Sequence, residues 1–178
     1  TLVAAKLNIK SAHVEAGLRS GDMRMPEEVN RIVTDSISNI LLTPSADGDE
    51  NLLKEGRKGT DIHFVGNIMI DSLFNNLEKA KSSTILNDLG VTDGEYAVLT
   101  LHRPSNVDDS KTLVGIIEAL EVISKKLKLV FPIHPRTEKN AKMFNLYKRI
   151  CNIPGIVLTG PMGYLDFISL TSNARIVL

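Results

Sequence analysis

The chain has 178 residues, 43% of them hydrophobic and 24% charged, and its 21 Lys and Arg balance its 21 Asp and Glu. That composition supports a buried core and excludes global disorder, a basic nucleic-acid-binding face and recognition of partners by net charge. A single cysteine, Cys151, excludes an internal disulfide and fits a reducing compartment, and no apolar run approaches the roughly 20 residues that span a bilayer. With no secretory leader visible, the expectation is a soluble, cytoplasmic protein with no nucleic-acid and no membrane partner.

In chain order, Thr1 to Asn8 reads as the tail of a helix, and Ile9 or Ser11 to Val14 as a short strand. A polar loop with two glycines follows. Pro26, with Glu27 and Glu28 behind it, opens a helix in which Val29, Ile32, Val33, Ser36 and Ile37 recur with helical period, placing Asn30, Arg31 and Asp35 on other faces. Ile40 to Thr43 has the length and apolarity of a buried parallel strand, and Pro44 stops it. Ser45 can cap the helix Ala46 to Lys54, which ends at Gly56, and Ile62 to Val65 is the next strand. His63 lies within that apolar strand, where a structural role is the simpler expectation. Asn67 to Lys81 is a long amphipathic helix and Thr84 to Leu89 a short one. The interval from Ser72 to Glu95 is therefore read as a helical linker between a first domain, 1–71, and a second, 96–178.

The second half repeats the α/β rhythm. Tyr96 to Leu101 is a strand, Asp108 to Ser110 initiate a helix, and Leu129 to Ile133 is a strand followed by a helix to about Arg149. Cys151, near that helix end, is expected to be a small buried hydrophobe. Val157 to Thr159 is strand-like, Gly160 to Gly163 turns, Tyr164 to Thr171 is helical, and Ile176 to Leu178 form a last strand. Strands and helices alternating at short spacing argue for parallel, doubly wound sheets.

Ligands of open α/β sheets bind outside the carboxyl ends of the strands, which directs attention to three loops. In the first, Glu15 ends a strand, Arg19, Asp22 and Arg24 follow, and Glu27 and Arg31 sit four apart on one helix face. In the other two, a histidine at a strand end is followed closely by an arginine: His102 with Arg103, and His134 with Arg136. Cations beside helix N-termini suit a diphosphate, whereas prolines 104 and 135 alone would only mark turns. The sequence contains no GxGxxG, GxxxxGK[ST] or GxSxG motif, and its four histidines are too dispersed for a metal cluster.

The stretch HVEAGLRSGDMRMPEEVNR, in order with VGNIMIDSL, LTLHRPSNVDD, PIHPRT and GPMGYLDFISL, resembles the non-hydrolysing UDP-N-acetylglucosamine 2-epimerases over essentially the whole chain. The resemblance implies a GT-B-like α/β architecture of two Rossmann-like, doubly wound domains. Measured against that family, the chain holds portions of the two and is expected to be truncated and inactive by itself. It lacks an upstream acidic residue and a downstream phosphate-binding motif. The implied activity is interconversion of UDP-N-acetylglucosamine and UDP-N-acetylmannosamine by elimination of UDP and its re-addition to a 2-acetamidoglucal. No cofactor and no metal is implied, and the full-length partner is a second copy in a homodimer. Matching the motifs assigns catalytic roles to Glu15, Glu27 and the interdomain histidine His102, and diphosphate binding to Arg31 and Arg103. His134 and Arg136 are implied as further ligands, and Gly163, Tyr164 and Phe167 lie in the segment resembling the uracil-binding one. An epimerase for a diacetamido uronic-acid UDP-sugar, a GT-B glycosyltransferase and a noncatalytic UDP-sugar-binding fragment remain as alternatives.

Overall fold

Residues that alternate between strand-forming runs and helical stripes form two α/β units in the computed structural model, which describes all 178 residues. The first unit is Thr1–Phe74 and the second Asn75–Leu178. The first holds α1 (Leu2–Lys6), β1 (Ala12–Val14), α2 (Pro26–Ile37), β2 (Ile40–Thr43), α3 (Ala46–Lys54), a 3-10 turn at Gly59–Asp61 and β3 (Ile62–Phe64), and α4 (Ile68–Ala80) begins in it. Its three strands are parallel in the order β1-β2-β3. Its core is small: Ala16, Leu41 and Leu52 are fully buried, with Ile62 packed on them, while Val14, Ile40 and Phe64 on the strands stay exposed. His63 is also exposed on β3.

The second unit contains α5 (Ile85–Asp88), β4 (Tyr96–Val98), α6 (Pro104–Val107), α7 (Ser110–Ile123), β5 (Lys128–Pro132), α8 (Pro135–Met143), α9 (Tyr147–Cys151), β6 (Ile156–Thr159), α10 (Tyr164–Ser172) and β7 (Ile176–Val177). Its four strands are all parallel, in the order β6-β5-β4-β7. Strand side chains point alternately to the two faces, and both faces are covered, so the central strands are apolar throughout. On one face Ala97, Leu129 and Phe131 meet Leu113, Ile117 and Leu120 of α7. On the other, Tyr96, Val98 and Val130 meet Leu170 of α10 and Val91, with Leu86 and Leu89 beside them. Much of the stretch expected as a linker is thus part of the second unit's core. The chain leaves β4 toward β5 and β6 and returns to the opposite side of β4 as β7. The carboxyl end of β4 is therefore the switch point at which such sheets bind ligands.

Asp109 caps α7 as expected, its carboxylate accepting the Thr112 amide at 2.8 Å. Ser45 occupies the N-cap of α3 without a side-chain cap bond. The helix expected to run to Arg149 breaks into α8 and α9 at Asn145, whose φ of 60° is left-handed and cannot continue a right-handed helix. Cys151, at the end of α9, is exposed rather than buried. No helix is long and apolar enough to cross a membrane.

Candidate active site

In the first unit the chemistry-bearing loop runs from the end of β1 to the first turn of α2. Glu15 has a φ of 66°, a left-handed conformation that a residue with a Cβ adopts only when its surroundings impose it. Those surroundings are specific. The Ala16 amide donates to Leu42 O at 3.0 Å, continuing the β1-β2 pairing, and the Gly17 carbonyl accepts Asn51 Nδ2 of α3 at 3.0 Å. Gly17, with φ 80°, lies so close to α3 that an added Cβ would stand 2.3 Å from Gly48 O, which makes glycine obligatory there.

The apolar period read along α2 does not set its buried face. Val29 and Val33 are 39% and 47% exposed, whereas Glu28 and Asp35 are each 1% exposed. Burial of a carboxylate requires compensating donors, and both have them. The Ser20 and Gly21 amides donate to Glu28 Oε2 and Oε1, both at 2.9 Å, and Arg31 lies 3.5 Å from the same carboxylate. The two amides hold the Glu28 carboxyl below its ordinary pKa, against the opposing effect of burial. Asp35 Oδ1 accepts His13 Nδ1–H at 2.5 Å, and Oδ2 accepts the Gly17 amide at 3.1 Å and Arg19 at 2.7 Å. Arg19 also forks onto Glu55 at 2.7 and 2.6 Å, and these carboxylates, Glu55 foremost, raise its pKa above the ordinary arginine value. Asp22 is taken by Arg24 at 2.9 Å. Glu15 and Glu27 alone among the acids of residues 15–35 make no ion pair and no side-chain hydrogen bond. Glu27 is exposed at the N-terminal turn of α2.

In the second unit, the carboxyl ends of β4 and β5 bring His102 and His134 together, with ring centroids 5.6 Å apart. Both are exposed. They line a cavity of about 360 Å³ with Thr100, Leu101, Ile133, Met162 and Phe167, so the segment after β6 reaches the same place. The backbone beneath is tied by Thr137 of α8, whose hydroxyl donates to Leu101 O. Pro104 and Pro135 sit in the first turns of α6 and α8, where a missing N–H costs nothing. The Arg136 amide donates to His134 Nδ1 at 3.1 Å, which leaves Nε2 to carry the proton of a neutral ring.

Arg136 itself forks onto Asp108 at 2.9 and 2.5 Å, and Asn140 Nδ2 bridges Asp108 and Val107 O at 2.9 and 3.0 Å. Arg136 holds the Asp108 carboxyl below its ordinary pKa. Arg103, at the N-cap of α6, is exposed and makes no ion pair. Gly163 is the N-cap of α10 and Tyr164 its exposed first residue, while Phe167 is half-buried.

Sequence reasoning missed His13, Glu28, Asp35, Asp108 and Asn140 as contributors to these arrangements. Glu28, Arg31 and Asp35, three and seven residues apart, share one helical stripe, a spacing that was available in the sequence but carried no sign that the stripe faced inward.

The sequence profile of the UDP-N-acetylglucosamine 2-epimerase family matches residues 1–178. The chain belongs to that family. It is 45% identical over 179 aligned residues to a UDP-N-acetylglucosamine 2-epimerase homolog of Methanococcus maripaludis, a match that covers 99% of this chain and 49% of the relative. The UDP-2,3-diacetamido-2,3-dideoxy-D-glucuronate 2-epimerase of Pseudomonas aeruginosa is 41% identical, over 99% of this chain and 48% of its own. Among solved structures, Methanocaldococcus jannaschii UDP-GlcNAc 2-epimerase in complex with UDP-GlcNAc and UDP superposes with a TM-score of 0.89 at 41% identity, covering 99% of this chain and 49% of that one. The two Rossmann-like sheets are therefore those of a GT-B-like family fold. The chain spans about half the length of the curated relatives it matches.

Proposed function

We propose that the protein carrying this chain is a UDP-N-acetylglucosamine 2-epimerase. The reading rests on one observation above all. Around the loop that ends β1, every other carboxylate is committed to a donor, and Glu15 and Glu27 are left without one. Inversion at C2 needs a group that accepts a proton on one face of the sugar and a group that supplies one on the other, and two uncommitted carboxylates meet that need.

In the proposed reaction, one of the two removes the C2 proton as the C1–O bond to UDP breaks, giving a 2-acetamidoglucal. Proton return to the opposite face of C2 and re-addition of UDP at C1 give the epimer. The leaving diphosphate gains negative charge, and Arg31, His102 and Arg103 are assigned to stabilise it. His134 and Arg136 are assigned as further ligands, and Gly163, Tyr164 and Phe167 to the uracil. Arg136 already has its charge matched by Asp108, so its part is the weaker electrostatic one. The full-length protein is proposed to work as a homodimer.

The test is incorporation of solvent deuterium at C2 of UDP-N-acetylglucosamine by the full-length protein. Exchange, reduced far more than UDP binding by Glu15→Gln, supports the reading; acceptor-dependent UDP release without exchange would replace it with a glycosyltransferase. A second reading, an epimerase for a diacetamido uronic-acid UDP-sugar, is favoured by the 41% identity to the Pseudomonas enzyme. Product analysis with both UDP-sugars separates the two.

A further inference from the structure

We infer that Asp35 is a positioning residue for Glu15, acting through the two residues on either side of it. The inference rests on the reading of Glu15 as a group that handles the C2 proton. Glu15 stands midway between His13 and Gly17, and a single buried carboxylate on α2 holds both: His13 Nδ1–H at 2.5 Å through Oδ1 and the Gly17 amide at 3.1 Å through Oδ2. Arg19, 2.7 Å from Oδ2, sets a positive charge beside this carboxylate, which is only 1% exposed.

The consequence is local to Glu15. Its φ of 66° is a conformation that relaxes unless both flanks are fixed, and the direction of its side chain follows from that backbone. The strand pairing at Ala16 and the Asn51 bond to the Gly17 carbonyl fix the downstream side. On the upstream side, the His13 side chain is tied to Asp35. One Asp35 oxygen serves His13, and the other serves the Gly17 amide and Arg19. An asparagine in its place keeps the volume but cannot accept from three donors while carrying a charge that matches Arg19.

The experiment uses the full-length protein, with solvent-deuterium exchange at C2, KM and UDP-binding stoichiometry measured together. Asp35→Asn is expected to lower the exchange kcat by about 100-fold, with KM and stoichiometry held within about twofold. Combined with Glu15→Gln, it should add nothing to the loss caused by Glu15→Gln alone, because both substitutions remove the same placed carboxylate. A second pair of variants does not disturb the buried charge. His13→Asn, whose amide can donate from near the Nδ1 position, should retain most of the exchange that His13→Leu loses.

A fall of kcat in parallel with UDP-binding stoichiometry, losses that multiply in the double variant, or equal rates for His13→Asn and His13→Leu would each overturn the inference in favour of a purely structural ion pair. Exchange in the wild type that survives Asp35→Asn would overturn it alone. Absence of exchange in the wild type would overturn the epimerase reading and this inference with it.

Discussion

Arg31 lies 3.5 Å from the buried carboxylate of Glu28, three residues earlier on α2, and Glu27 beside it makes no ion pair. Adjacent glutamates thus have opposite fates. Glu28 fastens the 20–21 turn and orients Arg31, and Glu27 keeps its charge free at the helix N-terminus.

Glu28→Ala should therefore leave the Ser20 and Gly21 amides without their acceptor. Their hydrogen exchange is expected to be protected in the wild type by these bonds and to approach that of an open loop in the variant, and Glu27→Ala should leave it unchanged. Amide exchange followed by NMR checks both.

The same carboxylate predicts an acid limit. Its folded pKa lies below the ordinary value, so the folded state binds the proton less readily than the unfolded state does. The stability it contributes is present above the unfolded glutamate pKa of about 4.3 and is lost as pH falls through the depressed folded value. Urea unfolding of the first unit between about pH 6 and about pH 3 should show a steeper acid loss in the wild type than in Glu28→Gln.

Gly17→Ala should be among the most damaging single-atom additions in the first unit. It places a Cβ 2.3 Å from the Gly48 carbonyl at a left-handed φ, combining overlap with backbone atoms and conformational strain on the order of 3 kcal/mol together. Thermal unfolding measures the loss, and Gly21→Ala, where φ is also positive but nothing lies within 4 Å, separates the overlap from the strain.

Tyr96 predicts an alkaline limit in the second unit. Its hydroxyl donates to Leu170 O at 2.6 Å, and burial, with a smaller contribution from Asp93, pushes its pKa up to about 12. A folded value above the unfolded one of about 10 means stability that is complete below pH 10 and is lost as pH rises toward 12. Tyr96→Phe should cost about 1 kcal/mol near neutrality through the lost hydrogen bond and should remove this alkaline slope. Denaturant titrations across the alkaline range test both.

Asn140→Ala leaves the Val107 carbonyl without its side-chain partner and frees Asp108 on one side. A cost of about 1–3 kcal/mol is expected, measured by urea unfolding, together with faster motion of the Arg136 side chain by NMR relaxation.

Much of the molecule was legible along the chain. The alternation of strand and helix and the α7 cap at Asp109 each depend on a few neighbouring residues. The ordered motifs that mark the family are equally a property of the sequence. The face that α2 buries was not legible, because Val29, Ile32 and Val33 give the stronger apolar stripe and still lose to Glu28 and Asp35. Nor were the exposure of Cys151 and the break at Asn145.

What the sequence by itself determined, then, is which elements exist and which residues stand at the ends of β1, β4 and β5. Only the tertiary structure decided that Asp35 holds His13 from 22 residues away, that the His102 and His134 rings lie 5.6 Å apart, and that Glu15 and Glu27 are the acids of residues 15–35 left unpaired. The physical reason is range. Periodicity, caps and turns are set by contacts within a turn or two of chain, whereas the partner of a carboxylate depends on strand order and on which helix face is desolvated. Those are fixed only when the whole sheet packs.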